Sequence, residues 1–211
     1  MLFVFDWDGT LSDSTEKIVA CMKRAALSLG LPELVDVEIR EIIGLGLPEA
    51  IAQIYPHVSP RDRSALGVEY GRHFVAADQQ PSAFYPQVLE VLRTLRDRGH
   101  QLSVATGKSR RGLDRVLKEL QLSDYFDATR CADETASKPD PKMLHELLHY
   151  FGCDALNAIM VGDTEFDMSM ACAAGVPRVA VSYGAHHVDR LRRYDPVLCI
   201  DDMSQILTLI K

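Results

Sequence analysis

Residues 2–14 read LFVFDWDGTLSDS. Four apolar residues run straight into Asp6 and Asp8, with Trp7 between the acids and Gly9 behind them. A short, continuously apolar run suits a strand covered on both faces, and the glycine lets the chain turn sharply at its end. Two carboxylates at the mouth of a buried strand are costly to hold unless something there uses their charge.

Similar runs recur at 101–105, 158–162 and 177–181, with weaker ones near 127–130 and 197–200 and helix-like segments between most of them. This alternation predicts an α/β fold, a doubly wound, Rossmann-like parallel sheet. The block from Ser14 to Gln80 is the exception, carrying helical patterns and no convincing strand. Its first helix has an apolar stripe of Ile18, Val19, Met22, Ala25, Ala26 and Leu29, and Asp13 with Glu16 resembles a capping box. GLGLP at 44–48 and PHVSP at 56–60 interrupt the pattern, and QQPSAFYP at 79–86 reads as a return linker. The expected organisation is a core of residues 1–13 and 82–211, with a smaller all-α cap of residues 14–81 inserted after the first strand.

The bulk composition narrows the partners. With 211 residues, 47% hydrophobic and 25% charged, the chain suits an ordinary globular protein, and a net charge of −7 argues against nucleic acid or an anionic membrane as partner. No run of about 18 apolar residues occurs. The five cysteines form no C-x-x-C pair and read as reduced, small buried hydrophobes of a cytoplasmic protein. A small molecule is the expected partner, and a monomer or dimer the expected state.

In an open parallel sheet, ligands bind beyond the carboxyl ends of the strands. There the chain places DWDGT, then TGKS at 106–109, ASKPDP and GDTEFD, so four polar clusters converge on one site. Two local motifs read differently. TGKS looks like the tail of a P-loop, but the first glycine of that motif would fall on Leu102. HELLH at 145–149 fits a zinc-protease pattern, yet Leu144, Leu147, Leu148 and Phe151 share one helical face, which turns the histidines toward water. His186 and His187 read as the start of a surface helix, and Trp7 as a packing residue.

Taken in order, DWDGTLSDS, ATGKS, SKPDP and GDTEFDMSMACAAG resemble the four motifs of the haloacid dehalogenase superfamily, particularly its phosphoglycolate phosphatase-like members. The four aspartates Asp6, Asp8, Asp163 and Asp167 would crowd one cleft, and an all-oxygen donor set suits Mg²⁺. The resemblance implies Asp6 as nucleophile and Asp8 as general acid and base. It also implies metal ligation by the Asp6 and Asp163 carboxylates and the Asp8 carbonyl, with Asp167 supporting them. Phosphate would meet the backbone at Trp7 and Gly107, the Thr106 hydroxyl and the Lys138 ammonium. Asp140 and Pro141 would open a helix just after Lys138.

Asp8 favours a phosphatase over a dehalogenase, which has no alkoxide to protonate. The absence of lysine from Glu33 to Gln80 disfavours a phosphonatase, and Ile18 stands where β-phosphoglucomutase-like proteins carry a histidine. The expected substrate is a small-molecule phosphate monoester, with phosphoglycolate the leading candidate and Leu45, Gly46 and Leu47 as cap contacts. The alternatives are a β-phosphoglucomutase-like phosphomutase, a pyrophosphatase, or a phosphate-binding regulatory module without turnover.

Overall fold

The computed structural model describes residues 1–210. Its sheet has six parallel strands, β1 (Leu2–Phe5), β2 (Gln101–Thr106), β3 (Ala128–Cys131), β4 (Ala158–Gly162), β5 (Arg178–Val181) and β6 (Leu198–Ile200), in the spatial order β3-β2-β1-β4-β5-β6. All six lie where the apolar runs predict them. Central β1 pairs Leu2 with Gln101 on one side and with Ala158 on the other. The ladder continues one residue further, as Asp6 N–H donates to the Val161 carbonyl at 2.9 Å.

Alternation along β1 assigns its side chains to opposite layers. Phe3, Phe5 and Trp7 join the core formed with α5 (Val88–Asp97) and α6 (Arg110–Glu119). Leu2 and Val4 join the core beneath α7 (Lys142–Phe151) and α8 (Glu165–Ala173). Helices thus cover both faces, which is why the strands need no polar alternation.

Between β1 and β2 lie α1 (Thr15–Ser28), α2 (Asp36–Arg40), α3 (Leu47–Ile54) and α4 (Pro60–Ala77). They bury a hydrophobic cluster of their own, including Ile18, Met22, Ile51, Leu66 and Phe74. Ser59 caps α4 by accepting from Asp62 N–H at 3.1 Å. No helix among the described residues is long and apolar enough to cross a membrane.

Several local expectations are corrected. Ser14, not Asp13, occupies the N-cap of α1, and its side chain makes no cap hydrogen bond. Leu29 is the C-cap residue and is exposed, because the buried stripe of α1 ends at Ala26. At α7 the N-cap is Pro141, while Asp140 Oδ1 accepts from Lys142 N–H at 2.9 Å. His145 and His149 are exposed on α7, as the helical face requires, and Glu146 between them pairs with Arg130 at 2.8 Å.

His186 is buried instead of opening a surface helix. It packs edge-on against Phe166, and its Nδ1 accepts from Glu165 N–H at 3.2 Å, while α9 (Val188–Leu191) begins only after His187. The cysteines are all free, but only Cys21 and Cys131 are buried; Cys172 lies on the exposed side of α8.

Candidate active site

The strand order brings the ends of β1, β2 and β4 side by side. After β1, Gly9 turns at φ 83°, and a Cβ there would overlap the Asp163 carboxylate, so the loop can approach the end of β4 only as glycine. The two loops are joined by Thr10 Oγ1, which donates to Asp163 Oδ1 at 2.7 Å. Ala185 N–H donates to Asp163 Oδ2 at the same distance. Asp167, in the first turn of α8, forms a capping box with Thr164, accepting from its N–H at 3.0 Å and its hydroxyl at 2.7 Å.

Lys138 reaches this cluster from the loop after β3. Its ammonium lies 2.6 Å from Asp6 Oδ1 and 2.6 Å from Asp167 Oδ1, with all three side chains buried. Burial works against the lysine's charge, but Asp167 and Asp6 outweigh it and hold its pKa above the usual value. Burial raises the Asp6 pKa well above the ordinary carboxylate range, against the pull of Lys138 and with the help of Asp167 and Asp163. Burial together with Asp167 pushes Asp163 up to about 7, although Ala185 N–H and Thr10 oppose the shift.

One ammonium therefore faces three buried carboxylates. Asp6, Asp163 and Asp167 each offer an oxygen within 4.8 Å of the others, and Asp6 Oδ2 is buried without a hydrogen-bond partner among the described residues. Excess negative charge and oxygen-only donors fit a hard divalent cation. Lys138 and Thr164 occupy the two oxygens of Asp167, as Thr10 and Ala185 occupy those of Asp163, whereas Asp6 keeps one oxygen without a partner among the described residues.

Asp8 is handled separately. Its Oδ1 accepts from Ser14 Oγ at 2.6 Å and lies 3.0 Å from Lys108 Nζ, which also sits 4.7 Å from the centre of the Phe74 ring. Thr106 is buried beside it, with Oγ1 accepting from Lys108 N–H at 3.2 Å, which leaves the hydroxyl proton free to donate. Sequence reading missed Lys108, Ser14 and Thr10. Lys108 was visible as the third residue of TGKS at the end of a strand adjoining β1, but was set aside with the P-loop motif.

A cleft of about 560 Å³ extends from Asp6, Asp8 and Thr106 to α1, α3, α4 and the loop after α2. Leu45 and Leu47 line it. Gly46 does not. Its N–H donates to Ser137 Oγ at 2.8 Å, and a side chain on it would press on Ala132 and Ser137. Gly107 lies so close to the Leu45 carbonyl that a Cβ would overlap it. Across the same seam Arg190 meets both Glu41 oxygens at 2.6 Å, and Asp78, which pairs with Lys17 inside the insert at 2.9 Å, reaches Arg115 at 2.6 Å. The Trp7 indole is buried between Phe84 and Phe126, outside the cleft, so its side chain packs. Arg111 lines the cleft, whereas Arg110 is engaged by Glu134 and Asp114.

Comparison with known proteins agrees with this geometry. Residues 3–181 match the family model described as haloacid dehalogenase-like hydrolase. The chain is 34% identical over 210 residues to "Probable phosphatase IndB" of Dickeya dadantii, covering 98% of this chain and 91% of that one. It is 31% identical over 212 residues to a phosphoglycolate phosphatase of Pseudomonas savastanoi pv. phaseolicola, covering 98% and 78%. In fold it matches the crystal structure of a predicted phosphoglycolate phosphatase from Haemophilus somnus with a TM-score of 0.90 at 23% identity, over 100% of this chain and 97% of that one.

Proposed function

Because the chain belongs to the haloacid dehalogenase-like hydrolase family, we propose that it is a Mg²⁺-dependent phosphatase that hydrolyses a small-molecule phosphate monoester. The observation that carries this reading is the unpartnered, buried Oδ2 of Asp6, set among Lys138, Asp163 and Asp167 and opening onto the same cleft as Asp8.

Asp6 attacks phosphorus in line, and the bond from phosphorus to the ester oxygen breaks. Asp8 gives its proton to that oxygen, so the alcohol leaves neutral, with an aspartyl-phosphate remaining on Asp6. Asp8 then takes a proton from water, whose oxygen attacks the same phosphorus and regenerates the Asp6 carboxylate with release of phosphate. Thr106, the backbone at Trp7 and Gly107, and Lys138 stabilise the charge on the equatorial oxygens. Asp6, Asp163 and the Asp8 carbonyl would hold Mg²⁺, whose charge offsets the crowded carboxylates and polarises the phosphoryl group. Asp167 keeps Lys138 in place.

Residues 14–81 act as a cap over a core of residues 1–13 and 82–211, excluding bulk water from the reacting group. The relatives named as phosphoglycolate phosphatases put phosphoglycolate on the substrate panel. Ile18 lines the cleft with an apolar side chain and supplies no proton-carrying group, which favours hydrolysis over phosphomutase chemistry.

The test is Mg²⁺-dependent phosphate release from a panel of sugar phosphates, phosphoglycolate, nucleotides and pyrophosphate. Asp6→Asn abolishes release and His145→Ala leaves it intact. The opposite pattern overturns the assignment.

A further inference from the structure

The cleft is larger than the leading substrate requires, and it stays large with the inserted helices seated. Gly46 is hydrogen-bonded to Ser137, Glu41 is paired with Arg190, and Leu45 lies against Gly107, yet about 560 Å³ remains. That volume lies within the roughly 300–1,000 Å³ typical of sites for drug-sized ligands, not for a two-carbon acid.

The wall opposite Asp8 explains the space. Gly67 and Gly71 lie one turn apart in the interior of the 18-residue helix α4, and both line the cleft. Glycine weakens a helix interior relative to alanine, so something other than helix stability favours it there. Protein packing does not require it. A Cβ on Gly71 would meet nothing within 4 Å, and one on Gly67 would make only ordinary contacts with Ile51 and Leu47. The bare face is flanked by the Tyr70 and Phe74 rings, with Val68 and Val75 exposed beside them and Ile18 and Met22 facing them from α1. Arg72, Arg111 and Arg115 also line the cleft, but the stretch around Gly67 and Gly71 is a mainly apolar surface, continuous with the reacting groups, that is left open for a ligand to cover.

We propose that this face of α4 is the leaving-group subsite, and that the substrate is a phosphate monoester of a bulky, flat-faced cyclic or aromatic alcohol. The proposal rests on the phosphatase reading and narrows its substrate class.

The test uses the full chain with Mg²⁺ and compares 2-naphthylmethyl phosphate, ethyl phosphate and phosphoglycolate. The first two are esters of primary alcohols, so the chemistry of the leaving oxygen is nearly matched. Wild type should show kcat/KM at least tenfold higher for the naphthylmethyl ester than for either small ester. Gly71→Leu, which fills the face, should cut that preference at least tenfold, mainly through KM, while Gly71→Ala retains most of it. Free 2-naphthylmethanol should compete with substrate on the wild-type enzyme far more strongly than ethanol, a readout that needs no variant.

Wild-type preference for a small ester, or a preference unmoved by Gly71→Leu together with no competition by the alcohol, overturns the subsite. Failure to hydrolyse any monoester overturns the phosphatase reading instead.

Discussion

Ser14 sits at the N-cap of α1, but its hydroxyl donates to Asp8 Oδ1 at 2.6 Å instead of serving the helix. An N-cap serine that bonds its helix contributes about 1 kcal/mol, a gain forgone here to orient a carboxylate in the cleft. Ser14→Ala should therefore lower the urea midpoint only by the lost bond to Asp8, with no further loss from a helix cap. It should lower kcat by roughly ten- to a hundredfold, matching the ~1.5–3 kcal/mol of a hydrogen bond to a charged group, with little change in KM. Steady-state kinetics beside urea titration check the split, and a large stability loss with normal kcat would refute the orienting role.

Asp167 shares Lys138 with Asp6 in a fully buried arrangement. Asp167→Asn keeps the shape but leaves the ammonium with one carboxylate. Breaking a buried pair costs about 3–5 kcal/mol, and the loss should fall near the lower end because Asp6 remains. Chemical denaturation should record it, and phosphate release should fall in parallel.

The buried carboxylates couple stability to pH and to metal. Burial together with Asp167 pushes the Asp163 carboxyl up to about 7 in the metal-free fold, well above the ordinary carboxylate range near 4. Between those values the folded state holds the proton that the unfolded chain has released, so metal-free stability should fall as pH rises from about 4 to 7. Mg²⁺ should offset the loss, so the Tm difference between Mg²⁺ and chelator should widen over that interval. A shift of several degrees is expected, since 1 kcal/mol moves the Tm of a domain of this size by roughly 2–4 °C. Calorimetry at several pH values tests this, and Asp163→Asn should flatten the dependence.

Arg190 joins the core to the inserted helices through Glu41, and it also reaches Glu165 at 2.9 Å. The pair is partly exposed, so its contribution is on the order of 0.2–1 kcal/mol. Arg190→Ala should raise KM by up to about fivefold and barely move the Tm. Glu41→Gln should do the same, and the double variant should add little to either.

Much of this arrangement was legible because it rests on short-range patterns. Strand runs fully covered by helices announce themselves as unbroken apolar stretches, so β1 and β4 match the expected ranges, and β2 differs by one residue at its end. Asp6, Asp163 and Lys138 were legible because parallel topology brings strand ends together. What stayed hidden depends on partners distant in sequence. Nothing local to Ser14 tells whether its hydroxyl serves the helix or Asp8, and Asp13 with Glu16 offered a plausible cap. His186 was read as exposed from its polar surroundings, but the Phe166 ring that covers it comes from another element. Gly46 looked like the tip of a substrate loop, yet its N–H is taken by Ser137, 91 positions away.

The position of β1 in the sheet also dictates an order of events during synthesis. Its neighbours begin at Gln101 and Ala158, so β1 stays unpaired until much of the chain has followed. Helices α1 to α4 bury a cluster of their own, with α1 packed chiefly against α4, and units that emerge early tend to fold first. The four inserted helices can therefore pack together before the sheet beside them is complete. Asp6 must wait for Asp163 before the cluster can form.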